Sequence, residues 1–205
     1  MIRWLLVDIG DVLLLKNTDV SFVELLAKEL ALEPELAQKI NAAHYTTMET
    51  KNIPEVEFVA SLKENLGYDA PKDIYAYFAR AYSARIRPNT QLLRLLDDLR
   101  ATGMKTAVLS NTIDIYREIQ ERAGIGRNDG FDPVIYSWRV GLRKPDPRIF
   151  ELALKELGAT PEQVIFIDDK AEHIRAAGLI GMKTILFKDN ETAISQIERF
   201  LSRRD

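Results

Sequence analysis

The apolar pattern of this chain changes period twice, and that limits the folds open to it. Ile2 to Ile9 is an apolar run that stops at Asp8-Ile9-Gly10-Asp11. A short run of this kind, closed by a turn signal, predicts a strand buried in a parallel sheet. From about Asp19 to Arg85 the spacing is helical: Leu25, Leu26 and Leu30, then Leu36 and Ile40, then Phe58, Leu62 and Leu66, then Ile74, Phe78 and Tyr82. Pro34, Pro54 and Pro71 stand where helices can begin. Four helices and no strand are expected there.

After Arg87 strands and helices alternate. The pattern predicts helix Pro88–Thr102, strand Lys105–Ser110, helix Ile113–Ala123 and strand Pro133–Ser137. Asp146-Pro147 reads as a cap and first turn opening helix Arg148–Leu157, and Thr160-Pro161-Glu162 repeats the device before strand Val164–Asp168. Helix Ala171–Leu179, strand Lys183–Phe187 and a last helix near Thr192–Leu201 follow. Five strands in such alternation imply an α/β fold with a doubly wound parallel sheet. The helical stretch interrupts it between the first two strands. Residues 16–86 are therefore expected to form an inserted cap domain on a core of residues 1–15 and 87–205, with linkers near Leu15–Asp19 and Arg85–Pro88.

Composition removes several chemistries. The 205 residues hold 28 Lys+Arg against 31 Asp+Glu, for a formal charge of −3. That balance, without a dense basic run, argues against nucleic acid or an anionic membrane as partner. The absence of cysteine excludes disulfides, thiolate nucleophiles and Cys-based metal sites. Only His44 and His173 are available as imidazole ligands. No apolar run approaches the roughly 20 residues of a membrane span. With no signal-peptide pattern at the N-terminus, a cytoplasmic protein is expected.

In open α/β sheets, ligands bind beyond the carboxyl ends of the strands. Those ends here bring Asp8, then Ser110-Asn111-Thr112, then Lys144 after the third strand, then Asp168-Asp169. Each has an ordinary explanation as a turn, a cap or a solvated loop residue; the ordered set of four is far more specific. Asp8, Asp168 and Asp169 at one sheet end would crowd carboxylates that cannot all ionise without a cation. Lys144 offsets only one. An all-oxygen donor set selects a hard cation, with Mg²⁺ the natural choice. Mg²⁺ beside a carboxylate nucleophile, a hydroxyl and a lysine makes a phosphoryl-handling site.

The blocks LLVDIGDVL (Leu5–Leu13), VLSNT (Val108–Thr112), GLRKPDPRIF (Gly141–Phe150) and VIFIDD (Val164–Asp169) resemble the haloacid dehalogenase (HAD) superfamily of aspartate-nucleophile phosphohydrolases with a C1-type helical cap. The last three look most like the branch of sugar-1-phosphate phosphatases and epoxide hydrolase phosphatase domains. The resemblance implies a Rossmann-like core and a small phosphorylated substrate. It implies Asp8 as the nucleophile forming an aspartyl-phosphate, Ser110 and Asn111 as phosphoryl-oxygen contacts, and Lys144 as the neutralising cation. Mg²⁺ would be held by Asp8, the carbonyl of Gly10 and Asp169, with Asp168 supporting from behind.

Two positions depart from the family pattern. A second Asp usually stands two residues after the nucleophile and protonates the leaving oxygen; here that position is Gly10. A positioned acid is worth about 10²- to 10⁴-fold. The expected substrates are therefore esters whose leaving group needs little protonation, such as anomeric sugar, acyl or aryl phosphates. Asp11 is expected to point away and not to substitute. His173 stands where relatives often carry Asn or Asp; it reads either as a donor behind the metal ligands or as a surface residue of the helix's first turn.

Within the insert, His44-Tyr45-Thr46-Thr47-Met48-Glu49-Thr50-Lys51 is similar to the cap stretch that ends in a Glu-x-Gly loop over the active site of relatives, with Lys51 in place of the glycine. His44, Tyr45, Glu49 and Lys51 are candidate substrate contacts. The competing readings are a literal haloacid dehalogenase, which would leave two carboxylates without a task, and a non-catalytic protein binding a phosphometabolite or a protein partner, for which Gly10 is the only support. A receiver domain shares the sheet but not the insert. Monomer and homodimer both remain open.

Overall fold

The computed structural model describes residues 1–48, 50–51 and 53–202, with no side-chain account of residues 46–48. The chain runs β1 (Trp4–Val7), β2 (Leu14–Lys16), α1 (Phe22–Leu30), α2 (Pro34–Met48), α3 (Glu55–Leu66), α4 (Ile74–Arg85), β3 (Ile86–Pro88), α5 (Thr90–Ala101) and β4 (Lys105–Ser110). It continues through α6 (Arg117–Arg122), β5 (Phe131–Tyr136), α7 (Ser137–Val140), α8 (Pro147–Leu157), β6 (Val164–Asp168), α9 (Ala171–Leu179), β7 (Lys183–Leu186) and α10 (Asn190–Ser202). Five strands form one parallel sheet in the order β5-β4-β1-β6-β7. This is the expected doubly wound α/β arrangement.

The sheet is buried on both faces, as its near-continuous apolar strands require. Side chains alternate across a strand. Leu5 and Val7 of β1 join Val108, Ile165 and Ile167 beneath α5 and α10, whereas Trp4 and Leu6 join Leu109, Phe166 and Phe150 on the opposite face. A third cluster, built from Phe22, Leu26, Ile40, Phe58, Leu62 and Phe78, lies among α1–α4 and takes in Ile113 and Tyr116 from the segment after β4.

All four helices expected between Asp19 and Arg85 are present. The two linkers are not open chain, however. β2 and β3 pair antiparallel, Leu14 opposite Pro88 and Lys16 opposite Ile86, and Asn17 N–H donates to the Arg85 carbonyl at 2.9 Å. The predicted helix from Pro88 begins instead at Thr90, because Pro88 closes this ribbon and Asn89 caps α5 through Leu92 N–H at 3.3 Å. The predicted helix Ile113–Ala123 divides into a 3₁₀ turn at Asp114–Tyr116 and the short α6.

Candidate active site

β1 is flanked by β4 and β6, so the chain direction across the sheet reverses at β1 and the carboxyl ends of these three strands share one crevice. β1 delivers Asp8, whose N–H donates to the Ile167 carbonyl at 2.9 Å. β4 ends on Ser110 and β6 on Asp168, with Asp169 next in the chain. Sheet register thus brings together residues more than a hundred positions apart.

Lys144 arrives from the loop between α7 and α8 and is fully buried. Its Nζ donates to Asp8 Oδ1 at 2.7 Å, to the Leu109 carbonyl at 2.7 Å and to Asp168 Oδ2 at 2.6 Å. All three ammonium hydrogens are engaged. Burial opposes that charge, but the Asp8 and Asp168 carboxylates outweigh it and raise the lysine above its ordinary pKa. Expected as the neutralising cation, Lys144 lies buried between Asp8 and Asp168 and is not solvated as a loop lysine ordinarily is.

The carboxylates diverge in character. Burial above all pushes Asp8 up to about 6; Lys144 opposes, while Asp168 and Asp169 add to the rise. Asp168 is also buried, but Lys144 and His173 outweigh the burial and hold its carboxyl below the usual range. Its Oδ1 accepts from Lys170 N–H at 2.8 Å and lies 2.9 Å from His173 Nδ1. His173 is therefore no surface residue. It lies buried against Asp168, and Asp168 serves to orient Lys144.

Asp169 is half-buried, and burial followed by Asp168 raises its carboxyl. Asp8, Asp168 and Asp169 can each offer an oxygen within 4.8 Å of the others, an arrangement that could hold a metal ion. With Asp168 saturated by its donors, Asp8 and Asp169 are the carboxylates best placed to do so. Asp8 Oδ1 is taken by Lys144, and Oδ2 lies on the Gly10 side, 4.0 Å from where a Cβ at residue 10 would sit.

Asn111 lines the cleft, and its side-chain amide is engaged with the Lys144 loop. Its Nδ2 donates to the Lys144 carbonyl and its Oδ1 accepts from the Lys144 N–H, both at 2.8 Å. Ser137, not singled out in the sequence, ties down the same loop: its Oγ accepts from Thr112 N–H and donates to the Thr112 carbonyl, both at 3.1 Å. Ser110 stands in the crevice wall, almost fully buried.

The crevice holds a cleft of about 170 Å³. Gly10, Ser110 and Thr112 line it from the sheet side and Tyr45, Tyr82, Arg85 and Ile86 from the helical insert. Tyr82 stacks on Tyr116 with ring centroids 4.0 Å apart, and its hydroxyl accepts from Gln120 at 3.3 Å. Asp11 also lines the cleft, its carboxylate 2.9 Å from Lys16 Nζ.

Of the four insert residues expected to contact substrate, Tyr45 lines the cleft and His44 does not. Adjacent helical residues point about 100° apart. With Tyr45 towards the cleft, His44 lies in the aromatic core, 4.0 Å from the Phe78 ring centroid. Lys51 is exposed and absent from the cleft lining. Glu49 lies outside the described residues.

Residues 2–181 match the model of the haloacid dehalogenase-like hydrolases. The chain belongs to this family. Among HAD relatives, the bifunctional epoxide hydrolase 2 of Sus scrofa is 35% identical over 125 residues, 60% of this chain and 22% of that protein. The glyceraldehyde 3-phosphate phosphatase of Methanothermobacter thermautotrophicus is 36% identical over 110 residues, 53% of this chain and 48% of that one. The chain thus spans less than half the length of either. A HAD family enzyme of Bacteroides thetaiotaomicron, solved as its magnesium complex, superposes with a TM-score of 0.78 at 25% identity, covering 96% of this chain and 98% of that one. No helix among the described residues is long and apolar enough to cross a membrane.

Proposed function

We propose that this chain is a magnesium-dependent phosphohydrolase that cleaves a small phosphorylated metabolite through an aspartyl-phosphate on Asp8. The observation that carries the reading is the Lys144 ammonium clamped between Asp8 and Asp168, with Asp169 beside them. Lys144, and Lys170 beside Asp169, do not match three carboxylates, and the negative charge left over favours a bound divalent metal.

Asp8 and Asp169, with the Gly10 carbonyl, would hold Mg²⁺. When bound, the ion supplies positive charge against the phosphoryl oxygens. Asp8 attacks phosphorus, the ester oxygen leaves, and water then cleaves the aspartyl-phosphate to regenerate the carboxylate. Lys144 fixes the nucleophile's position and neutralises charge during transfer. Ser110 donates a hydrogen bond to a phosphoryl oxygen. Asp168, with His173 behind it, keeps Lys144 in place.

Gly10 offers no acid for the leaving oxygen. The preferred substrates are esters with a stable leaving group: anomeric sugar, acyl or aryl phosphates. Residues 16–86 act as a cap over the core of residues 1–15 and 87–205, and closing it excludes water. Halide displacement, which needs no metal, would leave Asp169 without a task. The pattern fits a cytoplasmic enzyme for a small molecule.

The test is phosphate release from p-nitrophenyl phosphate with Mg²⁺, with EDTA, and with Asp8→Asn. Activity that disappears in both the chelated and the substituted samples is the expected result. Release that persists with either would sink the mechanism.

A further inference from the structure

Two cations of the cleft, Arg85 and Lys170, make no ion pair among the described residues; Lys170 follows Asp169 in the chain and bears on its carboxylate, whereas Arg85 has no such neighbour. Arg85, the last residue of α4, lines the cleft, and its buried Nε has no hydrogen-bond partner. Among the described residues its guanidinium makes no ion pair. The nearby acid of the cleft wall, Asp11, is already held by Lys16 at 2.9 Å. Arg85 is half-buried, and a guanidinium that lines a cleft with a buried, unpartnered Nε and no counter-charge is suited to an anionic group entering that cleft.

A phosphoryl group at Asp8 does not need Arg85. That end has Lys144, fully buried and 2.7 Å from Asp8, together with Ser110 and the proposed metal. Arg85 comes from the insert side of the cleft with Tyr82 and Ile86, so it faces the part of the substrate that carries the leaving oxygen. A guanidinium fork pairs best with a planar carboxylate or with a phosphate.

Size separates these two. About 170 Å³ is well below the roughly 300–1,000 Å³ of sites for drug-sized ligands. It suits a skeleton of a few carbons, and a carboxylate takes less room than a second phosphate. Accepting the phosphohydrolase reading above, we propose that Arg85 determines specificity by pairing with a carboxylate of the substrate, which is a small phosphorylated acid with a stabilised leaving oxygen, such as an acyl or enol phosphate.

Binding to Asp8→Asn, measured by titration calorimetry with Mg²⁺ present, tests this independently of turnover. The probes are 3-phosphoglycerate, glycerol 3-phosphate, which replaces the carboxylate by a hydroxymethyl group, and propanediol bisphosphate. 3-Phosphoglycerate should bind at least tenfold more tightly than glycerol 3-phosphate. Adding Arg85→Gln should bring the ratio close to one, and Arg85→Lys, which keeps charge but loses the fork, should retain part of it. Equal affinities in Asp8→Asn, or a preference that survives Arg85→Gln, would overturn the assignment. Tighter binding of the bisphosphate than of 3-phosphoglycerate would overturn the choice of carboxylate. p-Nitrophenyl phosphate turnover by the unsubstituted protein is scored separately. A protein that shows the Arg85-dependent preference and releases no phosphate would refute the hydrolase reading and leave this inference standing.

Discussion

Asn111 holds Lys144 by its backbone, not by its ammonium group. Two hydrogen bonds of 2.8 Å run between the side-chain amide of one and the peptide groups of the other. The residue after Ser110 therefore sets where the Lys144 side chain starts, and the reach to Asp8 follows from that. Asn111→Ala should lower kcat on p-nitrophenyl phosphate by about 10²-fold, the scale of a misplacement near 1 Å. Unpaired peptide groups should cost about 1–3 kcal/mol of stability. Steady-state kinetics and urea unfolding check both, and unchanged kcat would show that the clamp is dispensable.

Lys144→Met should remove activity and destabilise the fold by roughly 3–5 kcal/mol, because two buried carboxylates lose their shared cation. Adding Asp168→Asn should recover part of the stability and none of the turnover. A double-mutant cycle on unfolding free energies measures the coupling.

Gly10→Asp tests the missing acid directly. A Cβ at Gly10 would meet only Asp8 Oδ2, at 4.0 Å, so the side chain can be accommodated. The variant should raise kcat/KM on simple alkyl phosphates by about 10²- to 10⁴-fold relative to p-nitrophenyl phosphate. It should also increase the dependence on Mg²⁺, since it adds a fourth carboxylate. A constant alkyl-to-aryl ratio would mean that leaving-group protonation does not limit this enzyme.

His44 carries a stability prediction. Burial among Phe58, Tyr75 and Phe78 lowers its pKa to about 3, against about 6.5 in the unfolded chain. Between those values the unfolded state binds the extra proton, so stability is complete above pH 6.5 and falls as pH falls. The loss should approach about 1.4 kcal/mol per pH unit, or roughly 2 kcal/mol from pH 6.5 to 5. His44→Phe should flatten this slope and cost little at pH 7, since neither ring nitrogen has a hydrogen-bond partner among the described residues. Denaturant melts at several pH values decide it.

Asp8 and Asp169 were legible because each directly follows a strand, and apolar periodicity locates strand ends well; Lys144, beyond α7, was legible through the GLRKPDPRIF block. What a side chain does once it arrives was not. A lysine before proline in a loop is ordinarily solvated, and only the approach of Leu109, Asp8 and Asp168 buries this one. The bonds from the Asn111 side chain to the Lys144 peptide groups were not legible, because that partner lies 33 residues away. β2 and β3 have three residues each, too few to show a period, and their pairing spans the whole insert. Arg85 read as part of a linker for the same reason.

That ribbon bears on how such a molecule can change over evolutionary time. The insert leaves the core through Leu14–Lys16 and returns through Ile86–Pro88 on hydrogen-bonded neighbours, about 4.8 Å apart, the usual spacing of paired strands. Its two ends are already joined, whatever lies between them. A longer, shorter or unrelated segment could be spliced at this doorway without stretching β1 or moving Asp8, so the portion proposed to choose the substrate can be exchanged while the portion proposed to perform the reaction is left alone.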